Sequence, residues 1–138
     1  MHLASIRVIT EDVARLVEFY ERVTGTAAVW SNEDFAEITA GSDGSAGAGT
    51  LAIGSTRTVP LFAPGSAEAG ANRSAIVEFL VDDVDALHTA LAGHGTEFVN
   101  EPTTMPWGNR SLLLRDPDGN LVNLFTPVTP AAKAKFGR

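Results

Sequence analysis

Cysteine is missing from this 138-residue chain, which excludes disulfide scaffolds, thiolate metal sites and cysteine nucleophiles. Histidine is scarce at three residues, and no Ser-His-Asp grouping is visible. Lys and Arg total 10 against 17 Asp and Glu, a net charge of -7. The cations are scattered along the chain. That balance argues against a phosphate-binding footprint, so nucleic acid is not an expected partner. No apolar run is long enough to span a membrane and no signal peptide is recognisable, so the expectation is a cytoplasmic protein with no membrane partner. What remains is 44% hydrophobic and 20% charged residues, the balance of a globular chain. Its length suffices to bury roughly two-thirds of the unfolded surface without a staple.

Leu3 to Ile9 alternates in polarity and predicts a first strand. Thr10-Glu11-Asp12 opens a helix whose apolar residues Val13, Leu16, Val17, Tyr20 and Val23 recur at helical spacing until Gly25 stops it. Ala27 to Trp30 and Phe35 to Thr39 read as strands joined by Ser31-Asn32-Glu33-Asp34. Gly41 to Gly49 is nearly all Gly, Ser and Ala and reads as a hairpin loop. It has neither the Lys nor the following helix of a phosphate-cradling loop. Thr50 to Ile53 closes the first half as a strand.

Ser55 to Ser74, rich in Pro, Gly, Ala and Ser around the apolar patch Val59-Pro60-Leu61-Phe62, reads as a linker. Ala75 to Val81 is strand-like, Asp82-Asp83-Val84-Asp85 caps a helix bearing Val84, Leu87 and Leu91, and Gly93-His94-Gly95 ends it. Thr96 to Asn100 is a strand, Glu101 to Gly108 an irregular stretch, and Asn109 to Arg115 a strand. The latter runs into Asp116-Pro117-Asp118-Gly119, whose preset φ, bonding carboxylates and glycine make a tight turn. In the strand after it, Val122 and Leu124 point one way and Leu121, Asn123 and Phe125 the other. Pro130 to Arg138 is a tail with a short helix whose role the sequence does not show.

Strand, acidic cap, helix, glycine and three strands thus occur once from Leu3 to Ile53 and again from Ala75 to Phe125. Setting Asp12-Val13 on Asp83-Val84 aligns Arg7 with Glu78 and Ser5 with Ile76. The expected organisation is a single domain with modules at 3–54 and 75–127, a linker at 55–74 and a tail at 128–138.

The βαβββ repeat, the Phe19-Tyr20 pair, Phe79-Leu80-Val81-Asp82-Asp83-Val84 and Arg115-Asp116-Pro117-Asp118-Gly119-Asn120-Leu121 together resemble the vicinal oxygen chelate superfamily. It contains glyoxalase I, extradiol dioxygenases, fosfomycin resistance proteins and bleomycin resistance proteins. The resemblance implies an α+β fold of two βαβββ modules paired edge to edge around a concave pocket, and a homodimer. Metal-dependent members hold a divalent ion with His and Glu near the start of the first strand and in the last strand of each module. Those positions fall on Ser5, Ile76, Asn123 and Ala52, or on Pro60 if Val59 to Phe62 is the last-strand equivalent. None is a customary transition-metal ligand. His2, His88 and His94 do not rebuild the set. The expectation is therefore no metal and no cofactor.

Each candidate residue has a chemical and a plain reading. Arg7 and Glu78 either anchor and activate a ligand, with Glu78 as general base, or pair with each other where the modules meet, the preferred reading. Trp107, in Met105-Pro106-Trp107-Gly108, either walls a pocket or packs in a core or dimer contact. Trp30 and Phe35 form an opposite wall or simply pack. Asn123 orients a ligand or is a buried amide bonding neighbours such as Ser5. Phe125 shares its face. Glu37 is a pocket acid or faces solvent. Arg110 reaches a cavity mouth, and Arg115 bonds the turn's carboxylates. His88, at helical spacing from Val84 and Leu91, reads as a partly buried helix residue.

The first functional reading is a small-molecule binding protein that sequesters a drug or hydrophobic metabolite, as the bleomycin resistance group does. An alternative is a glyoxalase-like lyase or isomerase, or a dioxygenase relative, acting through Glu78, Glu37 or an unconventional metal site. A third is a protein that serves through an oligomeric interface.

Overall fold

The computed structural model describes residues 1–41 and 49–138; most of the expected loop at 41–49 lies outside them. The chain divides into two compact units, Met1–Asn72 and Arg73–Arg138, and the architecture is α+β as expected. No helix among the described residues is long and apolar enough to cross a membrane.

In the first unit β1 (Ile6–Thr10), α1 (Val13–Thr24), β2 (Val29–Asn32), β3 (Phe35–Thr39) and β4 (Thr50–Ser55) follow in order. The sheet runs β1-β4-β3-β2, with β1 parallel to β4 and the other pairs antiparallel. Asp12 caps α1 by accepting from the Arg15 backbone N–H at 3.0 Å, and Gly25 at φ 65° ends it. Several α1 residues are β-branched or aromatic, each costing about 0.5 kcal/mol of helix propensity. Burying Leu16, Val17, Tyr20 and Val23 outweighs that, at about 1.5–3 kcal/mol per large side chain. They pack on the sheet face of Ala36, Ile38, Leu51 and Ile53, all buried.

The expected strand over 27–30 is shifted to Val29–Asn32, leaving Glu33-Asp34 as the turn. The start of the expected linker is structured. Thr56–Thr58 forms a 3-10 turn and Val59–Phe62 the short helix α2, tied back by Arg57 Nε donating to Asp34 Oδ1 at 2.8 Å. This excludes Pro60 as a last-strand position, because α2 is helical and Ala52 on β4 lies opposite Arg7 on β1.

The second unit contains β5 (Ile76–Leu80), α3 (Val84–Leu91), β6 (Glu97–Phe98), β7 (Thr103–Thr104), β8 (Asn109–Arg115), β9 (Leu121–Pro127) and α4 (Pro130–Lys135). Its sheet runs β5-β9-β8-β6 with β7 also on β8, and β5 is parallel to β9, repeating the first unit's parallel pair of first and last strands. The strand expected over 96–100 is short because Asn100 replaces backbone pairing, its Oδ1 accepting from the Leu113 N–H at 2.8 Å. The stretch 101–108, expected to be irregular, contributes β7. Leu112, Leu114, Val122 and Leu124 are fully buried on the face that α3 packs against. Thr126 Oγ1 donates to the Val81 carbonyl and accepts from the Val84 N–H, both at 3.0 Å, pinning the β5–α3 corner to β9. His88 is half-buried and stacks on Phe98 at 4.6 Å.

The tail packs. Thr129 caps α4, and Phe136 lies 5.2 Å from Phe125. Gly108, at φ 94°, allows this approach: a Cβ there would stand 2.1 Å from Thr129 Oγ1, and its carbonyl accepts from the Val128 N–H at 2.9 Å.

The β8–β9 turn closes on a buried carboxylate. Asp116 Oδ1 accepts from the N–H groups of Asp118 and Asn120, both at 2.9 Å, and Oδ2 from Asn120 Nδ2 at 2.7 Å. Replacing Asp116 with Ala strands these donors; since Asn120 is also buried, urea denaturation should show a loss of about 3–5 kcal/mol.

Arg110 clamps β8 to α3, Nε and Nη2 donating to the two oxygens of Asp85 at 2.6 and 2.8 Å. The hydrogen bond from Arg110, more than its charge, holds the Asp85 carboxyl below its usual range, and Asp85 raises Arg110. A lowered folded-state pKa means the contribution is complete above the unfolded value of about 3.9 and is lost as pH falls through the folded one. The Tm difference between the native protein and Asp85→Asn, seen at pH 6, should therefore close below about pH 4.

Candidate functional site

Cross-strand pairing assigns every strand residue to a face, because directly opposed residues point the same way. In each sheet the face away from the buried helix carries one mixed row. In the first it runs Arg7, Ala52, Glu37, Val29. In the second it runs Glu78, Asn123, Leu113. The rows are equivalent under the internal repeat, with Arg7 standing where Glu78 does and Ala52 where Asn123 does.

In the first unit the Arg7 guanidinium carbon lies 4.5 Å from the Phe35 ring centroid and 5.1 Å from that of Phe62. Phe62, part of the patch read as linker, is thus a neighbour that sequence reasoning missed. The rings offer the cation their negative faces, worth about 0.5–1 kcal/mol each at exposed positions. Glu37 is half-buried, and its carboxylate has no hydrogen-bond or ion-pair partner among the described residues. Ser5 is half-buried, just ahead of β1. Trp30 and Phe35 do not share a wall: Trp30 lies opposite Ala36, on the helix-bearing face, while Phe35 shares the face of Glu37 and Arg7. A register irregularity between Trp30 and Asn32 separates the two aromatics.

In the second unit Asn123 Nδ2 donates to Glu78 Oε2 at 2.7 Å. One of the two amide N–H groups of Asn123 is thus engaged by Glu78 inside the same unit, as Arg7 is by Phe35 and Phe62 in the other. Asn123 Oδ1 is buried and has no hydrogen-bond partner among the described residues, and the same holds for Ser111 Oγ and Asn109 Oδ1. Register puts all of these on the Glu78 face: Ser111 opposes Phe125, Asn109 opposes Pro127, and both precede Leu113 by even steps. Sequence reasoning misses Ser111 and Asn109 because Asn109-Arg110-Ser111 is polar throughout and carries no alternation that would assign a face.

Phe125 shares that face, 8% exposed and covered by Phe136. Arg110 lies on the opposite face, opposed to Thr126 and engaged by Asp85, so it is withdrawn from any ligand on the Asn123 face. Arg115 bonds the turn's backbone and not its carboxylates, Nη1 donating to the Gly119 carbonyl at 3.1 Å. Trp107 is 67% exposed in a turn closed by the Gly108 N–H on the Met105 carbonyl at 2.9 Å. A separate cleft of about 320 Å³ lies beside α4, lined by Leu80, Val81, Pro127, Val128, Lys133 and Arg138. It contains none of the candidate ligand-binding or catalytic residues.

The donor set does not fit a tightly held divalent ion. Ala52 and Ile76 offer no donor atom, Ser5 a neutral hydroxyl, and Asn123 a neutral amide oxygen. No cluster of three His, Cys, Asp or Glu among the described residues could hold a metal. What the Glu78 face offers is an apolar floor of Leu113, Leu121 and Phe125 crossed by neutral acceptors and one carboxylate.

Comparison with known proteins agrees with this architecture. A Bacillus subtilis (strain 168) protein, uncharacterized protein YraH, is 27% identical over 126 residues, covering 91% of this chain and 98% of that one. A glyoxalase/bleomycin resistance protein/dioxygenase family enzyme from Burkholderia phytofirmans PsJN superposes with a TM-score of 0.75 at 18% identity, covering 93% and 100% of the two chains. A glyoxalase/bleomycin resistance protein/dioxygenase from Nocardioides does so with 0.71 at 21%, covering 94% and 85%; at such identities the likeness is one of fold. The profile of the Glyoxalase/Bleomycin resistance protein/Dioxygenase superfamily matches residues 2–124, and this chain belongs to that superfamily.

Proposed function

We propose that the protein binds an apolar small molecule without a metal and sequesters it unchanged, acting as a homodimer in the manner of the bleomycin resistance group. The observation that carries this reading is the Glu78–Asn123 pair. At a position where metal-dependent members place a carboxylate ligand, this chain has a neutral amide that donates to a neighbouring carboxylate at 2.7 Å. Ala52 and Ile76 offer no donor atom at two of the other positions, and Ser5 offers only a neutral hydroxyl. The aromatic groups Phe35 and Phe62 around Arg7 and the apolar side chains beside Asn123 are surfaces suited to a largely apolar ligand.

A second reading, a lyase, isomerase or dioxygenase relative acting through Glu37 or Glu78, has one observation in its favour: Glu37 lacks a partner among the described residues. Sequestration and catalysis differ in what is recovered. Elemental analysis of the purified protein should show well under one equivalent of Zn, Ni, Fe or Mn per chain. A screen of planar drugs should find compounds that, at a hundredfold excess over Kd, stabilise it by about 2.7 kcal/mol, roughly 5–15 °C in Tm, and that return chemically unchanged by mass spectrometry. One bound metal per chain whose removal abolishes binding, or conversion of the bound compound, would refute the reading.

A further inference from the structure

We infer that the Glu78 face of the second sheet recognises a hydrogen-bond-donating group, a hydroxyl or an amine, on an otherwise apolar ligand, through Ser111 Oγ and Asn123 Oδ1. The inference rests on the binding reading above and adds the polarity of the ligand to it. Both atoms are buried and have no hydrogen-bond partner among the described residues, and Ser111 as a residue is only 5% exposed. They are diagonal neighbours across β8 and β9, since Ser111 opposes Phe125 and Asn123 opposes Leu113.

The sign of the match follows from Glu78. By accepting from Asn123 Nδ2 it fixes which end of the amide faces away, and that end is the oxygen, an acceptor only. The Ser111 hydroxyl can serve either way, so the shared requirement is a donor. A carboxylate, ether or ketone would set acceptor against acceptor, with the Glu78 carboxylate adding like-charge repulsion for an anion. The cations of β8 do not offset this: Arg110 is engaged on the opposite face and Arg115 is held at the turn by the Gly119 carbonyl. Ile76, Leu121, Leu113 and Phe125 share the face by register and provide the apolar contact. Because the two acceptors lie out of reach of solvent, a donor reaches them stripped of water, and the hydrogen-bond match then decides affinity.

The test is isothermal titration of the full chain with 2-naphthol, 2-naphthylamine and 2-methoxynaphthalene, which share a ring system and differ in the donor. The native protein should bind the first two about tenfold more tightly than the third. In Ser111→Ala and in Asn123→Ala that preference should shrink to within about twofold. Ligand-free Ser111→Ala should melt at the native Tm or above it, because an unpartnered buried hydroxyl contributes nothing to the free fold. Equal affinity of the native protein for all three probes, a preference that survives both substitutions, or a Tm fall of several degrees in ligand-free Ser111→Ala overturns the inference and leaves the binding reading standing. Failure of all three probes to bind overturns both.

Discussion

Burial of the Asp116 carboxylate fixes more of this molecule than any other single contact. Its oxygens take two backbone N–H groups and the Asn120 side chain, so the turn can close in one way only. Closing it sets the β8–β9 register, and a slip of one residue would turn every side chain of β9 to the other face. The register puts Asn123 opposite Leu113 and Ser111 opposite Phe125, and parallel pairing of β9 with β5 then brings Glu78 to Asn123. The polar cluster is thus a consequence of a turn several residues away, which is why a substitution at Asp116 would damage the site and the fold together.

The two faces of the second sheet are built on opposite principles. On the α3 side Leu112, Leu114, Val122 and Leu124 are wholly buried, and the polar groups there are satisfied, Thr126 by two backbone groups and Arg110 by Asp85. On the other side three buried acceptors have no partner among the described residues, each a cost of about 1–3 kcal/mol. Domains of this size are stable by about 5–15 kcal/mol in total, so a cost of that size concentrated on one face is what a binding surface looks like when its stability is traded for recognition.

Periodicity made the helices and most strands legible, and the Asp-Pro-Asp-Gly turn made the hairpin legible, because those signals are local. The errors share the opposite property. Trp30 and Phe35 are close along the chain, but Trp30 opposes Ala36, the β3 neighbour of Phe35, so the two point to opposite faces. Asp85, the partner that takes Arg110 away from a cavity, lies 25 residues from it. The composition of Ser55 to Ser74 reads as linker, although Arg57 ties to Asp34 and Phe62 to Arg7 over long range. Ser111 sits in the polar run Asn109-Arg110-Ser111, and only strand pairing reveals that its face is also that of Asn123.

The first unit adds an electrostatic argument against a divalent ion at the last-strand position. Arg7 lies directly opposite Ala52, a last-strand ligand position, one strand spacing away. A divalent ion about 7 Å from a guanidinium, at an effective dielectric of about 20, would be opposed by about 5 kcal/mol. Restoring a carboxylate at Ala52 would offset only part of that, and would draw Arg7 out of its contact with Phe35 and Phe62 into a charge pair with the new group. Arg7 is therefore more than a neighbour of a lost ligand: its cation, its aromatic contacts and the small side chain opposite it are mutually consistent only when no ion sits among them. In the second unit Glu78, the equivalent residue, has the opposite charge and spends it on the amide at Asn123. At the two positions where metal-dependent relatives place last-strand ligands, the halves of the repeat thus differ, one setting a cation opposite Ala52 and the other an amide at Asn123 that donates to Glu78.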